Sequence, residues 1–250
     1  MVPPALRLGS EDHHRDVDPI AIRAALERSR APGRPRLEVF RPAPVVKVLG
    51  LVPGSFDPMT VAHAALAEAL VTDLTLFLYS PRTLPKRAGP GGAVRAPLME
   101  EEDRVASLLA YCRTRHGLGV ALSSHGLLID QAEAAAASFP RARLVFGVGS
   151  DKIEQILDPR WYPDPGTALG RLFMLAEVAY AIREGDGDPL DARPGDAVRW
   201  RGRLRPVHLP EHVRAISSRR IREAVRRGES ADPMVPPEVR PFLSRGAGSP

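Results

Sequence analysis

Two stretches of the chain combine residue types suited to holding a polyphosphate. The first, PGSFDPMTVAHAALAEAL, follows the apolar run VVKVLGLV at 45–52. A tight turn there leads into a helix whose first turn begins at Thr60, a favourable N-cap residue. With Thr60 as cap, His63 stands at the third helical position, its imidazole beside backbone N–H groups that lack partners and attract phosphate. Gly54 and Ser55 let the backbone approach a ligand closely at the carboxyl end of the preceding strand. The second stretch is AISSRRIREAVRRGES at 215–230, where Ser217 caps a helix, Ile216 and Ile221 form a hydrophobic staple and Gly228 ends it. Arg219, Arg220 and Arg222 all fall near the start of that helix, where the macrodipole disfavours cations by a few tenths of a kcal/mol each. A bound anion reverses that sign. Each residue alone has an ordinary reading as a helix histidine, a turn glycine or a solvated arginine; their agreement in position is what favours a ligand.

The charge distribution points the same way. The net charge is +5, but Arg199 to Arg227 carries ten arginines against Glu211 and Glu223, so the excess is local. A localised polyphosphate site accounts for it better than a nucleic-acid face, although RWRGRLR at 199–205 keeps that alternative open. The single cysteine, Cys112, closes no intramolecular disulfide, and the N-terminal segment has no apolar targeting core. No stretch reaches the roughly 18 apolar residues of a membrane span. A soluble cytoplasmic protein without membrane contact is expected.

Those residues have to be positioned by a scaffold. From Val45 onward, short apolar runs alternate with helix-period segments, which predicts an α/β fold with a doubly wound, mostly parallel sheet. Strands are predicted at 45–52, 73–80, 119–124, 143–149, 173–182 and 205–210, and helices at about 61–71, 100–114, 129–138, 151–157, 218–227 and 237–244. Residues 1–43 are polar and proline-interrupted and are expected to form a flexible N-terminal extension with one short helix at Pro19–Ser29; the domain proper would be 44–250.

The run G-S-F-D-P-M-T-V-A-H at 54–63 resembles the GxFDPxHxGH or T/HxGH signature of the nucleotidyltransferase superfamily, and I-S-S-R-R-I-R at 216–222 resembles its ISSTxIR signature. PRTLPKR at 81–87 is similar to the family's substrate loop. VGSDKIEQILDPRWY at 148–162 is similar to the GxD segment of nicotinate or nicotinamide mononucleotide adenylyltransferases, and VPPEVRPFL at 235–243 to their closing helix. The resemblance implies a Rossmann-like nucleotidyltransferase fold and an adenylyltransferase that moves AMP from ATP to a phosphorylated acceptor, releasing pyrophosphate in NAD biosynthesis. It implies His63 and Arg222 as catalytic residues and Gly54, Ser55, Phe56, Thr60, Gly149, Asp151, Ser217, Ser218 and Arg219 as further nucleotide-binding residues. Lys86, Arg87, Trp161 and Tyr162 would meet the acceptor. Mg2+ would be bound mainly through the ATP phosphates, with no dedicated protein metal site.

Three departures bear on that reading. Thr60 replaces the more usual histidine of the nicotinate branch and matches the habit of phosphopantetheine adenylyltransferases, which makes that acceptor, or a cytidylyltransferase-like reaction, the alternative. Ala62 and Arg219 replace the family's glycine and threonine, and with Thr60 they keep a non-catalytic nucleotide-binding protein in play. A homo-oligomer also stays open. Other pairs are structural: Pro210 separates His208 from His212, Cys112 and His116 lack a third partner, His13 and His14 lie in a solvated acidic segment, and Trp200 is expected to anchor the basic segment.

Overall fold

The computed structural model describes residues 18–40, 45–82 and 96–246. Seven strands form one sheet: β1 (Leu37–Val39), β2 (Val48–Gly54), β3 (Leu74–Tyr79), β4 (Leu118–Ser123), β5 (Arg143–Gly149), β6 (Ala176–Ala181) and β7 (Leu204–Val207), in the order β1-β4-β3-β2-β5-β6-β7. Among the described residues only β1 runs antiparallel, against β4; β2 to β7 are joined by parallel pairs. The order climbs outward from β2 through β3 to β4 on one side and from β5 through β6 to β7 on the other. The switch point therefore lies between β2 and β5, where doubly wound sheets open a crevice at the carboxyl ends of the strands.

Side-chain parity along each strand fixes which face it feeds. On β3, Phe77 and Tyr79 enter one buried cluster, while Leu76 and Leu78 enter the other. The first cluster is covered by α1 (Pro19–Arg30), α2 (Val61–Ala69), α3 (Glu101–Cys112) and α9 (Ser218–Arg226). The second is covered by α4 (Leu128–Ser138), α5 (Ser150–Ile156) and α6 (Pro165–Leu175). Two short helices, α7 (Pro194–Arg199) and α8 (Glu211–Arg214), flank β7, and α10 (Arg240–Gly246) closes the described chain beside α3. No helix among the described residues is long and apolar enough to cross a membrane.

The doubly wound α/β expectation matches this architecture, and six of its seven strands overlap predicted runs. Two details differ. First, residues 18–40 are not an extension. Asp18 caps α1 by accepting from the Ile20 N–H at 2.9 Å, and Ile22, Ala25 and Leu26 are almost fully buried in the first cluster. β1 then adds a seventh strand to the sheet. Second, the strand predicted at 173–182 begins only at Ala176, because α6 runs through Leu175. Its start is set by Asp164, which accepts from the Thr167 N–H at 3.1 Å ahead of Pro165 in the first turn. Trp200 packs at a tilt on Phe173 with ring centroids 4.6 Å apart, and the Arg199 guanidinium lies over the Trp200 ring 4.6 Å from its centroid, so Trp200 anchors the basic segment as expected.

Candidate active site

The turn after β2 delivers His63 in a fixed state. Thr60 caps α2: its hydroxyl accepts from the His63 N–H at 3.3 Å, and the His63 Nδ1 accepts from the Thr60 N–H at 3.1 Å. This is a reciprocal capping box with imidazole in place of the usual carboxylate. A backbone N–H can only donate, so Nδ1 is held as an acceptor and the neutral ring carries its proton on Nε2. The His63 pKa is lowered from 6.5 to about 4, chiefly by burial and secondarily by Arg183, with Asp151 opposing. The ring is half-buried by surface area, yet the fixed N–H donor at Nδ1 independently disfavours the imidazolium. His63 is thus a neutral Nε2–H donor at pH 7.

Phe56 supports that ring. It is fully buried, adopts a left-handed φ of 43°, and packs edge-on against His63 at 5.2 Å and Phe77 at 5.8 Å. A Cβ on Gly54 would sit 2.9 Å from the Phe56 ring, so the glycine is what admits the phenyl group. Phe56 and Thr60, both implied as nucleotide contacts, have no accessible surface with which to touch a ligand. They hold His63 instead. Ser55 remains partly exposed at the turn.

The second stretch meets the first directly. Ser217 caps α9 by accepting from the Arg220 N–H at 3.2 Å, and Ile221 is fully buried with Ile216 packed beside the same cluster. The Ser218 hydroxyl donates to the Pro58 carbonyl at 2.8 Å, and Arg222 Nη1 donates to the Asp57 carbonyl at 2.6 Å, across 165 residues of chain. The start of α9 is therefore latched to the loop that leads into α2. Arg222 is drawn down in pKa by burial, with Asp57 opposing, whereas Arg219 and Arg220 are exposed.

From β5, Gly149 brings Asp151 to the same edge of the sheet. A Cβ on Gly149 would lie 2.6 Å from the Asp151 carboxylate and 3.2 Å from the Arg183 guanidinium, so a side chain there would displace the ends of both. Asp151 pairs with Arg183 at 3.2 Å, and both act electrostatically on His63. Arg183 also lines a cavity of about 320 Å³ past the carboxyl ends of β6 and β7, with Ile182, Val207 and Leu209 as its apolar wall and Asp186 and Arg214 at its rim. Neither Arg183 nor this cavity was legible in the sequence, because the arginine follows β6 without a motif.

The residues implied for the acceptor separate. Trp161 is half-buried against the second cluster, at the end of a single helical turn, Pro159–Trp161. Tyr162 is buried, and its hydroxyl donates to the Ile156 carbonyl at 2.8 Å. Burial, then Asp130 and Asp158, pushes its pKa up to about 12, so it is a neutral packing residue and not a free stacking partner. Lys86 and Arg87 lie outside the described residues. Pro210 precedes α8, leaving His208 outside the helix that contains His212, as the sequence indicated.

No protein-family profile matches the chain. Among curated proteins, it is 31% identical over 239 residues to a probable nicotinate-nucleotide adenylyltransferase of Chromohalobacter salexigens, covering 82% of this chain and 96% of that one. It is 32% identical over 213 residues to the probable nicotinate-nucleotide adenylyltransferase of Laribacter hongkongensis, covering 78% and 91%. Among solved structures, the Plasmodium falciparum nicotinic acid mononucleotide adenylyltransferase complexed with APC superposes with a TM-score of 0.54 at 13% identity, over 81% of this chain and 96% of that one, a likeness of fold. With both signatures joined at one sheet edge and this degree of identity along most of its length, the chain belongs to the nicotinate-nucleotide adenylyltransferase family of nucleotidyltransferases.

Proposed function

We propose that the protein joins ATP to nicotinate mononucleotide. A phosphate oxygen of the mononucleotide attacks the α-phosphorus of ATP, the bond to the β-phosphate oxygen breaks, and pyrophosphate leaves. The acceptor phosphate is already anionic near pH 7, so positioning and charge stabilisation suffice without a strong general base. The observation that carries this reading is the latch from Ser218 and Arg222 to the Pro58 and Asp57 carbonyls, which sets a cationic helix start beside His63.

In this scheme His63 donates from Nε2 to the phosphate that gathers charge as the bond breaks, and Arg222 holds the β- and γ-phosphates with the free N–H groups of α9. Gly54, Ser55 and Ser217 line the phosphate path through their backbones. Gly149 and Asp151 with Arg183 face the ribose, and the cavity past β6 and β7 takes the adenine against its apolar wall. Trp161 faces the pyridine ring. Mg2+ would be held mainly by the ATP phosphates, with the exposed carboxylate of Asp151 at the same edge of the sheet. Such an ion would draw charge off the phosphates when bound. A cytoplasmic enzyme is consistent with this reading.

Incubation of the purified protein with ATP, Mg2+ and each of three acceptors tests the reading. Dinucleotide and pyrophosphate should form fastest with nicotinate mononucleotide. Faster turnover of nicotinamide mononucleotide or phosphopantetheine would reassign the acceptor, and no product with any of the three would refute catalysis.

A further inference from the structure

Asp57 is a buried acid with no place in the transfer step described above, only 6% exposed. Its carboxylate accepts from the Leu98 N–H at 3.0 Å and the Met99 N–H at 2.9 Å. Two guanidiniums flank it: Arg222 Nη1 at 3.7 Å from Oδ2 and Arg104 Nε at 3.8 Å from Oδ1. Arg104 is itself buried and donates to the Met99 carbonyl at 2.8 Å. The Asp57 carbonyl takes the 2.6 Å hydrogen bond from Arg222, so one residue binds that arginine through both its backbone and its charge. A further contact joins the same assembly, since Arg226, one turn along α9, donates to the Ala96 carbonyl at 2.9 Å.

Resting on the adenylyl-transfer reading, we propose that Asp57 is the positioning residue for Arg222. It fixes the guanidinium against the loop before α2, and through the Leu98 and Met99 N–H groups it ties that guanidinium to the residues that lead into α3. A long arginine side chain left free would lose rotamer freedom on meeting a triphosphate. One already held by a carbonyl and a carboxylate meets it in place. The buried charge is tolerable because two backbone N–H groups and two cations satisfy it.

The sign of one substitution separates this role from bulk electrostatics. Removing a negative charge beside a triphosphate site should tighten ATP binding if Asp57 acts only through its field. If it positions Arg222, Asp57→Asn should weaken ATP binding about tenfold, raise the KM for ATP more than it lowers kcat, and leave the KM for the mononucleotide within about threefold. It should also add nothing further in an Arg222→Ala background. Unchanged or tighter ATP binding by calorimetry, or effects of the two substitutions that simply multiply, would overturn the proposal. Calorimetry with ATP alone answers even if the wild-type protein makes no dinucleotide, which would fault the acceptor reading instead. Should Asp57→Asn not fold, Arg222→Lys decides: a lysine keeps the charge but cannot span carbonyl, carboxylate and phosphate, so at least tenfold weaker ATP binding is expected, and wild-type affinity would overturn the proposal.

Discussion

An imidazole whose pKa is lowered to about 4 carries no charge at pH 7, and this decides what His63 can do. It gives one hydrogen bond from Nε2 and does not compete with Arg222 as a cation. The unfolded chain takes up its proton near pH 6.5 and the folded one only near 4, so the stability due to neutral His63 is complete above about pH 6.5 and is lost as the pH falls toward 4. Ring titration by NMR should give a midpoint near 4 in the free protein, rising when an ATP analogue is added because the triphosphate favours the imidazolium. A free-protein midpoint at 6.5 would contradict the burial. His63→Ala should cut kcat by about 10²- to 10³-fold, as removal of a transition-state donor does, while the melting temperature moves by only a few degrees. The type and place of this residue were readable beforehand, because a cap and a histidine at its third helical position are local facts. The pairing of Arg183 with Asp151 beside it, and of Asp57 with Arg222, was not, since these contacts arise from chain segments that meet only in the folded sheet.

Among the elements, the central strands were the most legible. β5 occupies the apolar run RLVFGVG from end to end, and β2, β3 and β4 lie within one to three residues of their predicted limits, because strands buried on both faces read as continuous apolar segments. β1 escaped notice: three residues, LEV, between prolines give no period to read. The apolar run at 173–182 held the end of a helix and a strand together, an ambiguity that apolar content alone does not resolve. α1 was visible as a helix but not as part of the core. Its burial makes a measurable claim: Leu26→Ala should destabilise the protein by about 2–4 kcal/mol in urea titration. A loss below about 0.5 kcal/mol would return residues 18–40 to the status of an appendage. Ser218→Ala, which deletes the hydroxyl that reaches the Pro58 carbonyl, should cost about 1 kcal/mol of stability and weaken ATP binding severalfold.

At the scale of the whole molecule, the parallel order with its switch between β2 and β5 makes the carboxyl ends of the strands one working edge. Gly54 ends β2, Gly149 ends β5, Arg183 follows β6, and α9 returns from the far end of the chain to lock onto residues 57 and 58. The charge excess of 199–227 thereby divides in function: Arg222 turns into the edge, while Arg199 stacks on Trp200 away from it. The central claim is that the starts of α2 and α9 serve a single triphosphate. A crystal structure with a non-hydrolysable ATP analogue tests it most directly. The account predicts phosphate oxygens within hydrogen-bond reach of both the His63 Nε2 and the Arg222 guanidinium; a triphosphate that touches only one of them, or that lies away from the loop at 54–60, would contradict it.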